Sequence, residues 1–242
     1  MLTIYPERRE QSRSSAVREF HWCSLADHRF LLGGFIALGL VLLPSRADLN
    51  RHFSNSNFAK IPVYEKSLRD SAVRGNDAFS SVLIHLRTYW PVIRNPRYLT
   101  IIDYSKPSYV KRMYLIDMKT GKVEKHLVSH GRNSGWAYAT SFSNEPESFE
   151  SCCGFFVTGK KYSGKHGIAL ELYGLQKGVN DNAFRRGIVI HGSNYVSMRS
   201  IMLNRGRLGR SLGCPAIPVA AAQSVIDRIK GGSLVYIHAG SN

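Results

Sequence analysis

Between residues 98 and 238 the chain reads as short β-type runs broken by turn residues, and no other feature limits its fold as tightly. The runs cover residues 98–104, 109–118, 122–129, 154–158, 168–173, 187–191 and 234–238. Lys119-Thr120-Gly121-Lys122 sits between two of them as a hairpin turn would. Seven strands at this spacing, rich in Val, Ile, Tyr and Phe, predict a mainly β fold. An antiparallel sandwich or barrel with a few peripheral helices satisfies the pattern. One helix interrupts late, over residues 218–230, with Pro218 at its start and Gly231-Gly232 at its end.

The chain ahead of the strands has a different texture. Residues 30–43 (FLLGGFIALGLVLL) carry no charge over fourteen positions, which is short of the ~20 a membrane span needs. Arg8, Arg9, Arg13, Arg18 and Arg29 precede the run, and Pro44-Ser45-Arg46-Ala47 follows it. A basic start, an apolar middle and a small-x-small exit predict a signal peptide over residues 1–47, cleaved near Ala47, or an uncleaved anchor. Either reading puts the working protein in the periplasm or outside the cell. Residues 48–97 read as a polar linker and a helical lead-in. Gly75-Asn76-Asp77 offers a stop and a new N-cap, and Trp90-Pro91 an end. Residues 98–242 are then the β-rich domain.

Charge narrows the partners. The chain has 33 Lys+Arg against 17 Asp+Glu, a net +16. Removing residues 1–47 takes away 6 and 4 of these and leaves +14 on 195 residues. A polyanion is implied: nucleic acid, an acidic membrane surface or an acidic wall polymer. No helix-turn-helix, OB or RRM signature accompanies the charge. Four cysteines, Cys23, Cys152, Cys153 and Cys214, are too few for a disulfide scaffold.

Chemistry concentrates in the last third. The strand at 187–191 delivers His191-Gly192 at its end. Cys214 follows 23 residues later, in the Gly-rich turn Gly206-Arg207-Leu208-Gly209-Arg210-Ser211-Leu212-Gly213-Cys214-Pro215. A turn just before a helix N-terminus, with Arg207 and Arg210 close by, predicts a lowered thiol pKa. A histidine at a strand end can take the thiol proton. The N–H groups of Leu212, Gly213 and Cys214 can point at one oxyanion. Together these parts predict acyl transfer through a thioester. A lone cysteine is more often a small core residue, so the setting carries the argument.

These residues also carry a resemblance. Ile188-Val189-Ile190-His191-Gly192, followed by Arg207 to Pro215, resembles the active-site signature of murein L,D-transpeptidases, in a divergent branch of the YkuD-like superfamily. Ser129-His130-Gly131, Thr140-Ser141-Phe142-Ser143-Asn144, Gly154 to Gly159, Gly164-Lys165-His166-Gly167 and Asn180-Asp181-Asn182-Ala183 resemble the same branch. The resemblance implies an L,D-transpeptidase-like β-sandwich or barrel. It implies Cys214 as nucleophile, His191 as base, and the Gly192 carbonyl as the group that orients His191. The substrate it implies is the peptidoglycan stem tetrapeptide, which loses D-alanine and forms a 3–3 cross-link. The commoner pattern has Ser-His-Gly-Cys, with Arg or Asn two residues on; here Leu212 and Ala216 stand there. That departure leaves an L,D-carboxypeptidase as the alternative.

Further substrate contacts are expected from Arg207, Arg210, Ser211, Tyr195, His130 and His166. Arg185-Arg186, Arg205, Arg207 and Arg210 form the densest basic cluster. His130, His166 and His191 are each followed by Gly, outside any HxxxH or HxH spacing, so neither a metal nor another cofactor is expected. Adjacent Cys152 and Cys153 read as buried thiols. The expected partners are donor and acceptor stem peptides, met by a monomer, with no nucleic acid. A secreted polyanion-binding protein without catalysis is the rival outside the enzymes. A papain-like or NlpC-like peptidase is disfavoured, because there the cysteine precedes the histidine.

Overall fold

The computed structural model describes residues 77–164 and 167–240. The expected signal segment and linker, the part of the expected lead-in before Asp77, and His166 lie outside the described residues. Helix α1 (Asp77–Tyr89) opens the described chain and passes into a 3-10 turn, Trp90–Val92, with Pro91 in its first positions. Eight strands follow: β1 (Tyr98–Asp103), β2 (Met113–Asp117), β3 (Val123–His126), β4 (Gly154–Gly164), β5 (Gly167–Gly174), β6 (Val189–Ser193), β7 (Ala216–Pro218) and β8 (Leu234–His238). Helix α2 (Met198–Leu203) lies between β6 and β7, and helix α3 (Val219–Ile229) between β7 and β8.

All eight strands form one sheet, in the order β3-β2-β1-β8-β4-β5-β6-β7. The fold is mainly β, as the strand runs predict. The sheet is mixed rather than antiparallel throughout, because β1 pairs with β8 and β6 with β7 in parallel. It is also one sheet that curls toward closure, not two stacked layers. The chain just past β3 reaches the opposite edge, where Ser129 bridges Ala216 of β7 and donates its N–H to the Ala216 carbonyl at 2.9 Å.

Alternation explains why these strands look apolar along their whole length. Leu99, Ile101, Tyr114, Ile116, Phe155, Leu234 and Tyr236 face the buried side of α1, made of Ala78, Phe79, Val82 and Leu86. Their neighbours Ile102, Met113, Leu115, Phe156, Val235 and Ile237 face the other way, onto Ala222, Val225, Ile226 and Ile229 of α3. Both helices present apolar residues at i, i+3/i+4 spacing. The 119–122 hairpin forms as expected: Gly121 takes φ 71° and donates to the Asp117 carbonyl at 2.8 Å.

Strand β7 is absent from the sequence reading, which assigns Pro218 to the start of the late helix. Only three residues long, β7 stands between Cys214 and α3, so Cys214 does not sit on the helix N-terminus. Cys152 and Cys153 are both buried, as expected, and Cys152 and Cys214 are free thiols.

Candidate active site

Parallel pairing of β6 with β7 sets His191 beside Ala216 and Gly192 beside Ile217. That register brings the nucleophile turn against the strand that bears the histidine. The Cys214 sulfur accepts from the Val189 N–H at 3.5 Å, and its S–H points at the Gly187 carbonyl, also 3.5 Å away. His191 Nδ1 lies 3.0 Å from the Gly192 carbonyl oxygen. A carbonyl can only accept, so Nδ1 carries a proton in this contact. Gly192 has no room for a side chain: a Cβ there would lie 2.9 Å from Ala222 Cβ and 3.2 Å from Val219 Cα. The start of α3 therefore packs directly behind His191.

The turn that holds Cys214 is bonded within itself. Ser211 Oγ donates to the Cys214 carbonyl at 2.6 Å and accepts the Gly213 N–H at 3.1 Å. Ser151 Oγ donates to the Gly213 carbonyl at 2.9 Å. Gly213 takes φ 123°, a left-handed conformation that favours glycine, and a Cβ there would lie 2.8 Å from the Glu150 carbonyl oxygen. Two sequence expectations change here. Ser211 is buried and spent on the turn, so it is not a substrate contact. The Gly213 N–H is committed to Ser211 Oγ, which removes it from the three expected oxyanion donors.

His130 is another correction. It is fully buried, with Arg112 Nη2 donating to its Nδ1 at 2.7 Å and the Gly135 carbonyl near Nε2 at 3.4 Å. Burial, then the Arg112 charge, pushes its pKa down to about 3. Its backbone carbonyl accepts the Ser211 N–H at 3.0 Å. It braces the turn that bears Cys214 and, fully buried, presents no surface for the expected substrate contact. Arg112, buried beside it, also donates to the carbonyls of Val128 and Lys106 and lies 4.7 Å over the Tyr104 ring. Burial pushes that guanidinium down to about 10. Nothing in the sequence marks Arg112, since a buried arginine looks like a surface one until its carbonyl partners are placed.

The electrostatics around the thiol run against the sequence expectation. Burial pushes the Cys214 thiol up, while the Val189 N–H and the Arg186 charge pull it down less strongly. Arg186, and not Arg207 or Arg210, is the nearby cation. It donates to the carbonyls of Ser143 and Glu150 and to Ser148 Oγ. Arg207 and Arg210 instead lie 4.2 and 4.5 Å from the exposed Trp136 ring, and Arg210 donates to the carbonyls of Arg132 and Gly135. Tyr195 packs against Gly209, and burial raises its phenol pKa. Cys152, buried nearby, is pushed up to about 11.

The chain matches the YkuD_2 model, described as the L,D-transpeptidase catalytic domain, over residues 75–238. The chain belongs to this L,D-transpeptidase family. Among solved structures it is similar to an L,D-transpeptidase from Mycobacterium smegmatis, at 15% identity and a TM-score of 0.37, with 59% of each chain covered. L,D-transpeptidase 1 of Mycobacterium tuberculosis is 10% identical, with a TM-score of 0.32, over 58% of this chain and 60% of that one. The chain thus spans about three-fifths of the length of these transpeptidases. Comparison with curated proteins gives no match.

Proposed function

We propose that the protein is a peptidoglycan L,D-transpeptidase that works through a Cys214 thioester on stem tetrapeptides. One observation carries the reading: the sulfur of Cys214 rests on the same strand whose histidine has its Nδ1 proton fixed by the Gly192 carbonyl. A neutral thiol at rest requires a base during attack, and the His191 tautomer supplies one at Nε2. Nε2 takes the thiol proton as sulfur attacks the carbonyl of the third stem residue. The N–H groups of Leu212 and Cys214 receive the developing oxyanion. The carbonyl then re-forms, the bond to D-alanine breaks, and the His191 proton leaves on the departing amine. A neighbouring stem's amine attacks the thioester next, and a 3–3 cross-link results.

On this reading Arg207, Arg210 and Tyr195 contact the stem peptide, and a monomer acts on the outer side of the cytoplasmic membrane, where residues 1–47 direct it. The test is incubation of the protein with disaccharide-tetrapeptide, with products followed by mass spectrometry. D-Alanine release and a cross-linked dimer are expected, both lost in Cys214→Ala. A tripeptide product without dimer means carboxypeptidase activity instead. D-Alanine release unchanged in Cys214→Ala contradicts the cysteine mechanism.

A further inference from the structure

Helix α2 is oriented against its own polarity. Ser200 points inward, where its hydroxyl accepts from the Gly209 N–H at 3.3 Å and from Asn204 Nδ2 at 2.9 Å. Ile201 packs on the small cluster of Val196, Leu208 and Ala216. Met198, Met202 and Leu203 point outward instead, at 63%, 75% and 72% exposure. Three long apolar side chains turned to water, while a serine faces the protein, mark a surface that something else covers. Nothing in the internal bonding of α2 needs them.

The surrounding charge indicates what covers it. From Asn182 to Ile226 the sequence holds no Asp or Glu, and its only fixed charges are six arginines, at 185, 186, 199, 205, 207 and 210. Arg199 and Arg205, on and just past α2, are both exposed. Apolar tips accompanied by exposed Arg199 and Arg205, on a stretch of chain without an acid, fit the interface of an anionic bilayer. The tips enter the acyl boundary and the guanidiniums meet the headgroups. A soluble polyanion would use the arginines and leave Met202 and Leu203 in water. We propose that the α2 face is a peripheral docking surface for anionic lipid, independent of the acyl-transfer chemistry. It seats on the membrane without crossing it; no helix among the described residues is long and apolar enough to span one.

The test reads methionine oxidation in the full chain, because residues 30–43 can hold the chain on any vesicle and only a local readout is informative. The protein is exposed to dilute hydrogen peroxide, and sulfoxide is measured at Met198 and Met202 by peptide mass spectrometry. Buried Met113 and Met118 serve as internal controls. Phosphatidylglycerol vesicles are expected to slow oxidation of both residues severalfold, and 1 M salt to reverse the effect. Phosphatidylcholine vesicles should leave the rate unchanged. Arg199→Gln with Arg205→Gln should abolish the protection. Equal oxidation with and without phosphatidylglycerol overturns the proposal, as does equal protection by soluble polyphosphate. Protection that survives the double arginine substitution overturns it as well.

Discussion

Burial opposes ionisation of the Cys214 thiol, with Val189 N–H and Arg186 as weaker counterweights. Such a sulfur is unreactive until its base acts, which protects it from adventitious oxidation between substrates. The direction of the shift has a direct consequence. Alkylation of Cys214 by iodoacetamide should rise with pH through a midpoint above the ~8.5 of an ordinary cysteine. A midpoint below that value indicates a preformed imidazolium–thiolate pair and contradicts the account. Replacing His191 by Ala should lower D-alanine release by about 10²–10⁴-fold, the range of a lost general base.

His130 gives a second residue-scale outcome. Its folded pKa is pushed down to about 3 from an ordinary value near 6.5. The unfolded chain therefore binds the proton first. Its contribution to stability is full above about pH 6.5 and is lost as pH falls toward 3, with a limiting slope of about 1.4 kcal/mol per pH unit. Thermal melts at stepped pH should show this slope, and His130→Gln should flatten it. A slope unchanged in the variant rules His130 out as the titrating group.

At the scale of elements, short connections decide where the reacting groups stand. Thr158 of β4 ties three of them: its Oγ donates to the Ile229 carbonyl at 2.6 Å and accepts from the N–H groups of Gly232 and Ser233 at 3.1 and 2.8 Å. The end of α3 and the start of β8 are thereby fixed to the centre of the sheet. Thr158→Val keeps the shape and strands these buried partners, so urea denaturation should show a loss of about 1–3 kcal/mol. No measurable loss contradicts the assigned role. Strand β7 marks where sequence reasoning stops at this scale. A stretch of Ala-Ile-Pro has no periodicity to read, and only pairing with β6 makes it a strand. Strands β1, β2 and β8 are legible because the two helices cover opposite faces of the sheet there and leave them apolar throughout, and the hairpin because its turn residues are local signals.

For the whole molecule, the curled sheet matters because its two edges meet at the site. Ser129 on one side and Ala216 on the other join where Ser211 and Cys214 are held, so the turn that bears Cys214 depends on closure of the sheet. The positions of Cys214, His191 and the Gly192 carbonyl were readable, since strand end, turn and spacing are local signals. Arg112, Arg186 and the inward roles of His130 and Ser211 were not readable. Each is defined by backbone carbonyls or turns distant in sequence, such as Val128 for Arg112 and Glu150 for Arg186. The same distance explains the error over Arg207 and Arg210, which neighbour Cys214 in the chain while Trp136 takes their guanidiniums.

The central claim is a covalent one, that the acyl group of the stem peptide passes through Cys214. Acid-quenched intact-mass spectrometry during turnover of disaccharide-tetrapeptide tests it most directly, followed by peptide mapping of any adduct. The account predicts an adduct equal to the substrate less D-alanine, located on Cys214 and absent in Cys214→Ala. D-Alanine release with no adduct at any time point, or an adduct mapped to another residue, would contradict it.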